Sequence, residues 1–300
     1  MPDSRKFLHP EAIRRIARLE LRARHIVEGF LAGGHRSPYF GHSVEFLQHR
    51  QYAPGDDLRD VDWQVWARQD RLYIKQYEED TNMRCHLLVD QSGSMLFGDG
   101  PLNKFEYAAT VAASLGWLIL RQQDAVGGLT FDREVRQRVP VRSHPKHLQS
   151  LVNALSEATP GDKTGLLEIL QQAAGTFPRR GMMIVISDFL CDPGPTLKGL
   201  RMLRQQGHDV MVFHIMDDQE LDFELDGPVR FESLESARQL RCNPRALREG
   251  YLQALQDFLN RIRRGCARHG IDYALIRTSD PLDAVLPHYL SNRLGMHHRN

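Results

Sequence analysis

From residue 83 onward, short runs rich in Val, Ile, Leu and Met alternate with longer segments whose apolar residues recur at steps of three and four. The runs at 83–89, 125–131, 182–187, 210–215 and 271–276 show little polar alternation, as strands buried on both faces do. Between them, 103–122, 145–157, 164–177, 195–206 and 244–268 carry helical spacing. The last places Leu247, Tyr251, Leu255, Phe258, Ile262 and Cys266 on one stripe, after Asn243 as N-cap and Pro244 at the first helical position. Strand and helix in alternation predict an α/β fold: a doubly wound, mostly parallel sheet with helices on both faces. The stretch Gly128–Phe131, turning at Asp132 into Val135–Val139, adds one antiparallel edge.

Residues 1–80 break that rhythm and form a separate region ahead of a main domain at 81–300. Residues 10–30 read as a basic helix, and 44–80 as short strands and turns of a small β-rich lobe. There Asp56, Asp57, Asp60 and Asp62 lie among Arg50, Arg59 and Arg68, and ion pairing is the favoured reading over a second metal site. Trp63 and Trp66 are read as sealing the lobe rather than binding a ligand.

Composition removes several alternatives. With 41% hydrophobic residues in 300, the chain can bury one sizeable core plus an appendage. A formal charge of +1 gives no global attraction to nucleic acid or an anionic membrane. Cys85, Cys191, Cys242 and Cys266 form no C-x-x-C pair, so neither structural zinc nor a disulfide framework is indicated. No apolar run reaches the roughly 20 residues that span a bilayer, and the N-terminus has no signal-peptide core. A cytoplasmic protein with reduced thiols is the expectation.

The chemistry concentrates at strand ends. In LLVDQSGSM, Asp90, Ser92 and Ser94 follow a buried run at alternating positions; MMIVISD ends on Asp188; GDKTGL puts Thr164 at the start of a helix. Ligands of doubly wound sheets bind beyond the carboxyl ends of the strands, so these five oxygen-bearing residues can converge. Each alone is as readily a helix cap or turn residue. Together, without histidine or cysteine, they suit magnesium, with manganese or calcium as alternatives. Rival motifs fail: an EF-hand would need Gly and Glu where Met95 and Pro101 stand, a phosphate-binding loop would need Gly at Asp162 and Glu157, and DQSGSM lacks the flanking glycines of a hydrolase elbow.

With Thr164 and Asp188, DQSGSM resembles the metal-ion-dependent adhesion site of von Willebrand factor A domains. The stretch from Gly33 to Asn82, with the string Gly55–Trp63 (GDD-x-R-x-x-DW) as its most specific part, resembles the bacterial domain-of-unknown-function family numbered fifty-eight, over roughly residues 30–290. That resemblance implies a von Willebrand A-like domain often encoded beside a MoxR-type AAA ATPase, acting in maturation, metal insertion or remodelling of other proteins. Many members carry transmembrane helices ahead of the signature; none is found here. In adhesion sites of this type the serines and threonine contact the cation, aspartates act through water, and a partner's Asp or Glu completes the shell.

Two function classes follow. One is a non-catalytic, metal-dependent interaction module; the other is a metal-dependent hydrolase or phosphotransferase using the same oxygens. Binding is favoured, because Asp90 is the one obvious nucleophile and Ser92 stands where aspartate phosphotransferases carry a second aspartate.

Overall fold

The structure, a computed structural model, describes residues 45–51, 65, 72–78 and 83–281, apart from 99, 178–179, 226–228, 233 and 235–238. The expected helix at 10–30 and the acidic loop Asp56, Asp57, Asp60 and Asp62 lie outside the described residues, as do Trp63 and Trp66. The chain divides into two compact units: Pro38–Met83, and a second to which Arg84–Asn300 belongs. The small unit contains an antiparallel pair, β1 (Glu45–Gln51) and β2 (Tyr73–Glu78), with a register shift between Phe46 and Gln48.

The larger unit is built on a six-stranded sheet. Its strands are β3 (Arg84–Asp90), β4 (Ala125–Phe131), β5 (Val135–Arg142), β6 (Met182–Ser187), β7 (Asp209–Met216) and, last in the chain, β10 (Asp272–Arg277), in the order β10-β7-β6-β3-β4-β5. All neighbours are parallel except β4 and β5, the antiparallel edge. Cys85–Asp90, all of β6 and Val210–Met216 are buried, which is why these strands read as unbroken apolar runs. A second hairpin, β8 (Val229–Glu232) with β9 (Gln239–Cys242), has no counterpart in the sequence reading.

Helices cover both faces. On one, Leu166, Ile169, Leu170 and Ala173 of α3 (Leu166–Thr176), Leu200 and Leu203 of α4 (Pro193–Gln205), and Ile262 and Cys266 of α6 (Pro244–Arg268) form one core with Leu88, Leu129, Met183, Val185 and Val212. The other face carries α1 (Lys104–Arg121) and α2 (His147–Glu157); Gly116 of α1 lets Leu151 of α2 approach so closely that a Cβ would meet its Cδ2 at 2.5 Å. The short α5 (Asp218–Asp222) follows β7. The apolar stripe of α6 is buried only toward its C-terminal end: Leu259, Ile262 and Cys266 are in the core, whereas Leu247 is 44% exposed. The first turns of α6 pack instead on the segment around α5, where the Tyr251 ring stacks on that of Phe223 at 4.2 Å between centroids.

Strand order reverses at β3 and β6. From β3 the chain moves outward to β4 and β5, then returns to the other side of β3 and proceeds through β6 and β7. Ligand crevices of this architecture open at that point.

Adjacent glycines in β4 permit the close approach of its neighbours. A Cβ on Gly127 would lie 2.6 Å from the Val139 carbonyl of β5, and one on Gly128 would collide with the Leu87 carbonyl of β3. Ordinarily Gly→Ala at a compatible site stabilises by about 0.4–1 kcal/mol. Here Gly128→Ala is expected to destabilise by about 2 kcal/mol or more, with an unchanged urea m-value.

Candidate metal centre

The ladder between β3 and β4 continues one residue past Asp90, where Gln91 N–H donates to the Phe131 carbonyl at 2.6 Å. The chain then turns, because Ser92 N–H donates to Asp90 Oδ1 at 2.8 Å and Gly93–Leu96 winds into one 3-10 turn. Ser92 Oγ and Ser94 Oγ are thereby 3.1 Å apart. Two backbone bonds fasten the loop before α3 to this turn and to the β4–β5 turn: Gly93 N–H to the Asp162 carbonyl at 2.7 Å, and Gly165 N–H to the Asp132 carbonyl at 3.0 Å. They set Thr164, whose Oγ1 donates to Asp90 Oδ2 at 3.3 Å. A side chain at Gly93 would come 2.6 Å from the Leu234 carbonyl, so that position has room only for glycine.

At the end of β6, Ser187 Oγ donates to Asp90 Oδ2 at 2.6 Å and accepts the Phe189 N–H at 2.9 Å. Phe189 adopts a left-handed φ of 51° while its ring is wholly buried. Such backbone costs on the order of 1 kcal/mol, which its packing offsets. The turn aims Asp188 inward, where Oδ1 takes the Leu190 N–H and Oδ2 accepts from Lys104 Nζ at 2.8 Å.

Four of the sequence-derived residues, Asp90, Ser92, Ser94 and Thr164, therefore form one hydrogen-bonded group. The fifth, Asp188, neighbours Asp90 closely enough for their charges to repel, but it is turned onto a lysine. The two carboxylates are fully buried and compensated unequally. Lys104 is itself fully buried and also donates to Glu220 Oε1 at 2.7 Å; burial works against its charge, but Asp188 and Glu220 outweigh that and raise its pKa. The described residues give Asp90 hydroxyl and backbone donors only. Burial first, and Asp188 second, push its carboxyl up to about 7, against the pull of its Ser187 and Ser92 hydrogen bonds. Behind the site, His214 is wholly buried, with Nδ1 2.9 Å from the Tyr273 hydroxyl, and burial lowers its pKa to about 4, leaving it uncharged at neutral pH.

This donor set suits a hard cation. Among the described residues no group of three His, Cys, Asp or Glu gathers, so a metal here would rest on hydroxyls and one carboxylate. A positive ion beside Asp90 would supply the counter-charge its burial calls for.

Sequence reasoning did not include Lys104, Ser187 or Glu220. Lys104 had a visible signal: it follows the N-cap Asn103, and a cation in a helix's first turn opposes the macrodipole unless a nearby anion holds it. Ser187, within ISD, reads as ordinary strand. Glu220 belongs to a capping box with Asp217 that starts a helix too short to be periodic.

The model of a family described as "Protein of unknown function DUF58" matches residues 48–261. An uncharacterized protein of Mycobacterium tuberculosis, Rv1480, is 27% identical over 292 residues, covering 95% of this chain and 90% of that protein. Among solved structures, the conserved hypothetical protein BatB from Bacteroides thetaiotaomicron is 17% identical with a TM-score of 0.47, covering 71% of this chain and 99% of its own. The SpRpn10 VWA domain is 15% identical with a TM-score of 0.39, over 69% and 94%.

Two outcomes check the electrostatics. Because Asp90 has a folded-state pKa above its usual 3.8, its contribution favours the metal-free fold below that value and is lost as pH rises through about 7. His214 is shifted the opposite way, so the comparison is by difference: the thermal midpoint of wild type relative to Asp90→Asn should fall between about pH 4 and 7. Lys104→Met, which retains the buried stem but leaves Asp188 and Glu220 facing one another, should cost about 3–5 kcal/mol in urea unfolding. The double variant Lys104→Met/Glu220→Gln should recover part of that loss.

Proposed function

The chain belongs to the DUF58 family, and from that premise we propose that it is a non-catalytic, metal-dependent protein-interaction module. Its partner is read as a MoxR-type AAA ATPase or that ATPase's client, held through an Asp or Glu side chain. The observation that carries this reading is the buried Asp90 carboxylate, joined in one hydrogen-bonded group with Ser92, Ser94 and Thr164 and lacking the lysine that satisfies Asp188. Bound there, magnesium or manganese would supply a Lewis-acidic position for one further carboxylate oxygen. The hydroxyls are neutral donors, so they leave that position strongly positive. Lys104 holds Asp188 back, which keeps a second full negative charge from cancelling it.

The surface around the site supports a protein ligand. The exposed large apolar residues among those described are Leu96, Leu190, Leu234 and Leu247. Three belong to the site's surroundings: Leu96 two residues after Ser94, Leu190 two after Asp188, and Leu234 with its carbonyl against Gly93. Isolated surface leucines need no explanation, but two close to Ser94 and Asp188 in the chain, with a third whose carbonyl lies against Gly93, suit the apolar margin of an interface. Catalysis by Asp90 is disfavoured in the same terms. Oδ1 accepts the Ser92 N–H and Oδ2 the Ser187 and Thr164 hydroxyls, bonds that hold the carboxyl in place and reduce its nucleophilicity.

Calorimetry with magnesium and manganese, followed by capture of the MoxR-type ATPase with metal or chelator, tests the reading. Capture should require metal and be lost in Ser94→Ala and Thr164→Ala. Leu96→Ser and Leu190→Ser should weaken capture roughly tenfold each while leaving metal affinity unchanged. Equal capture in chelator would contradict the proposal.

A further inference from the structure

Lys104 is shared between two anions, and only one of them belongs to the candidate metal centre. Its Nζ lies 2.8 Å from Asp188 Oδ2 and 2.7 Å from Glu220 Oε1. The lysine and Asp188 are shut off from water, and the Glu220 side chain is 12% exposed. Charges so poorly screened act on one another, and on any ion placed among them, more strongly than surface charges do. With Glu220 in place, two carboxylates and one ammonium leave a net negative charge beside Asp90. Without it the ammonium cancels Asp188, and a cation arriving at Asp90 meets a lysine that no second anion offsets.

Glu220 is mounted on a slight element. The helix α5 has five residues, none of them fully buried, and a helix so short depends on its neighbours. Those neighbours hold it largely through exposed bonds. Arg277 Nη1 lies 2.8 Å from both Asp218 and Asp222, and all three side chains are more than a third exposed. Arg248 Nη2 donates to the Asp222 carbonyl and the Tyr251 hydroxyl to the Glu220 carbonyl, each at 2.9 Å. Exposed ion pairs add little individually, and elements held this way open at a fraction of the cost of global unfolding.

The same element touches the other half of the centre. Phe97 and Gly98 follow the turn that carries Ser92 and Ser94. Gly98 has a φ of 124°, and a Cβ there would meet Oδ2 of Asp217, the N-cap of α5, at 2.8 Å. The Phe97 carbonyl accepts the Lys104 N–H at 3.0 Å, and the Lys104 ammonium lies 5.7 Å from the centre of the Phe97 ring. The segment joining the serines to Lys104 thus lies against the capping box that presents Glu220.

We propose that α5 regulates the candidate metal centre: with Glu220 docked on Lys104 the site accepts a divalent cation, and with α5 displaced the uncompensated ammonium repels it. The inference rests on the metal-binding reading of Asp90, Ser92, Ser94 and Thr164, and it adds a second place from which that grip is controlled. Coupling of this kind is reciprocal, so a bound cation in turn holds α5 in place.

The test measures manganese binding to the full chain by calorimetry, alongside hydrogen exchange of the α5 amides. Glu220→Gln, which removes the charge and keeps the shape, should weaken manganese roughly tenfold, whereas Lys104→Met should tighten it, because the two substitutions change the local charge in opposite directions. The double variant Lys104→Met/Glu220→Gln, in which the charges removed cancel, should bind within about threefold of wild type. Damage to the fold would instead weaken all three. Arg277→Met leaves every buried charge in place and loosens only α5, and its surface position keeps it foldable where Lys104→Met is not. In that variant exchange of the α5 amides should accelerate and manganese affinity should fall roughly threefold. Saturating manganese should slow α5 exchange in wild type. Weakening by all three buried-charge variants, or unchanged affinity in both Glu220→Gln and Arg277→Met, overturns the inference while leaving the metal-binding reading intact. Wild type that binds no manganese removes both.

Discussion

Two carboxylates at the ends of neighbouring central strands, both cut off from water, are the constraint around which this half of the molecule is arranged. Parallel pairing of β3 with β6 brings Asp90 and Asp188 together, and burial makes their repulsion expensive. The fold resolves the problem asymmetrically. Asp188 receives the ammonium of Lys104. Asp90 receives only dipoles: the Ser92 N–H and the hydroxyls of Ser187 and Thr164. Its proton affinity rises accordingly, and the same imbalance is an affinity for any other positive charge that can reach it.

Lys104 also ties the site to the far edge of the sheet. Its second partner, Glu220, caps α5 by accepting the Asp217 N–H at 3.0 Å. Arg277, at the end of β10, donates to Asp218 and Asp222 of that helix at 2.8 Å each, and the Thr278 hydroxyl donates to Asp217 at 2.7 Å. The exposed links in this series contribute little individually. The buried one fixes where the compensating charge sits, and it selects which aspartate is left for an outside cation.

The sheet was legible because burial on both faces leaves a one-dimensional trace. Continuous apolar runs ending on Asp90 and Ser187 place the strand ends, and the rule for ligand crevices then indicates the loops. Thr164 was legible as a helix-start hydroxyl, although the structure places it outside a cap: Gly165 occupies that position and makes no side-chain bond. What was not legible depends on contacts distant in sequence. Lys104 and Glu220 are 116 residues apart, and nothing near either names the other. The stripe on α6 misled at Leu247 because periodicity marks a face without saying how far along it the core extends. The hairpin of β8 and β9 has strands of four residues, below the length at which alternation is distinguishable from chance.

The account's central claim is that a divalent cation is drawn to Asp90 and the hydroxyls grouped with it. Crystals of the protein soaked in manganese and measured for anomalous scattering test this directly. The account predicts a single strong peak in contact with the Ser92, Ser94 and Thr164 hydroxyls, absent in Asp90→Ala. Strong peaks elsewhere with none beside Asp90, or a peak there that persists in Asp90→Ala, would contradict it.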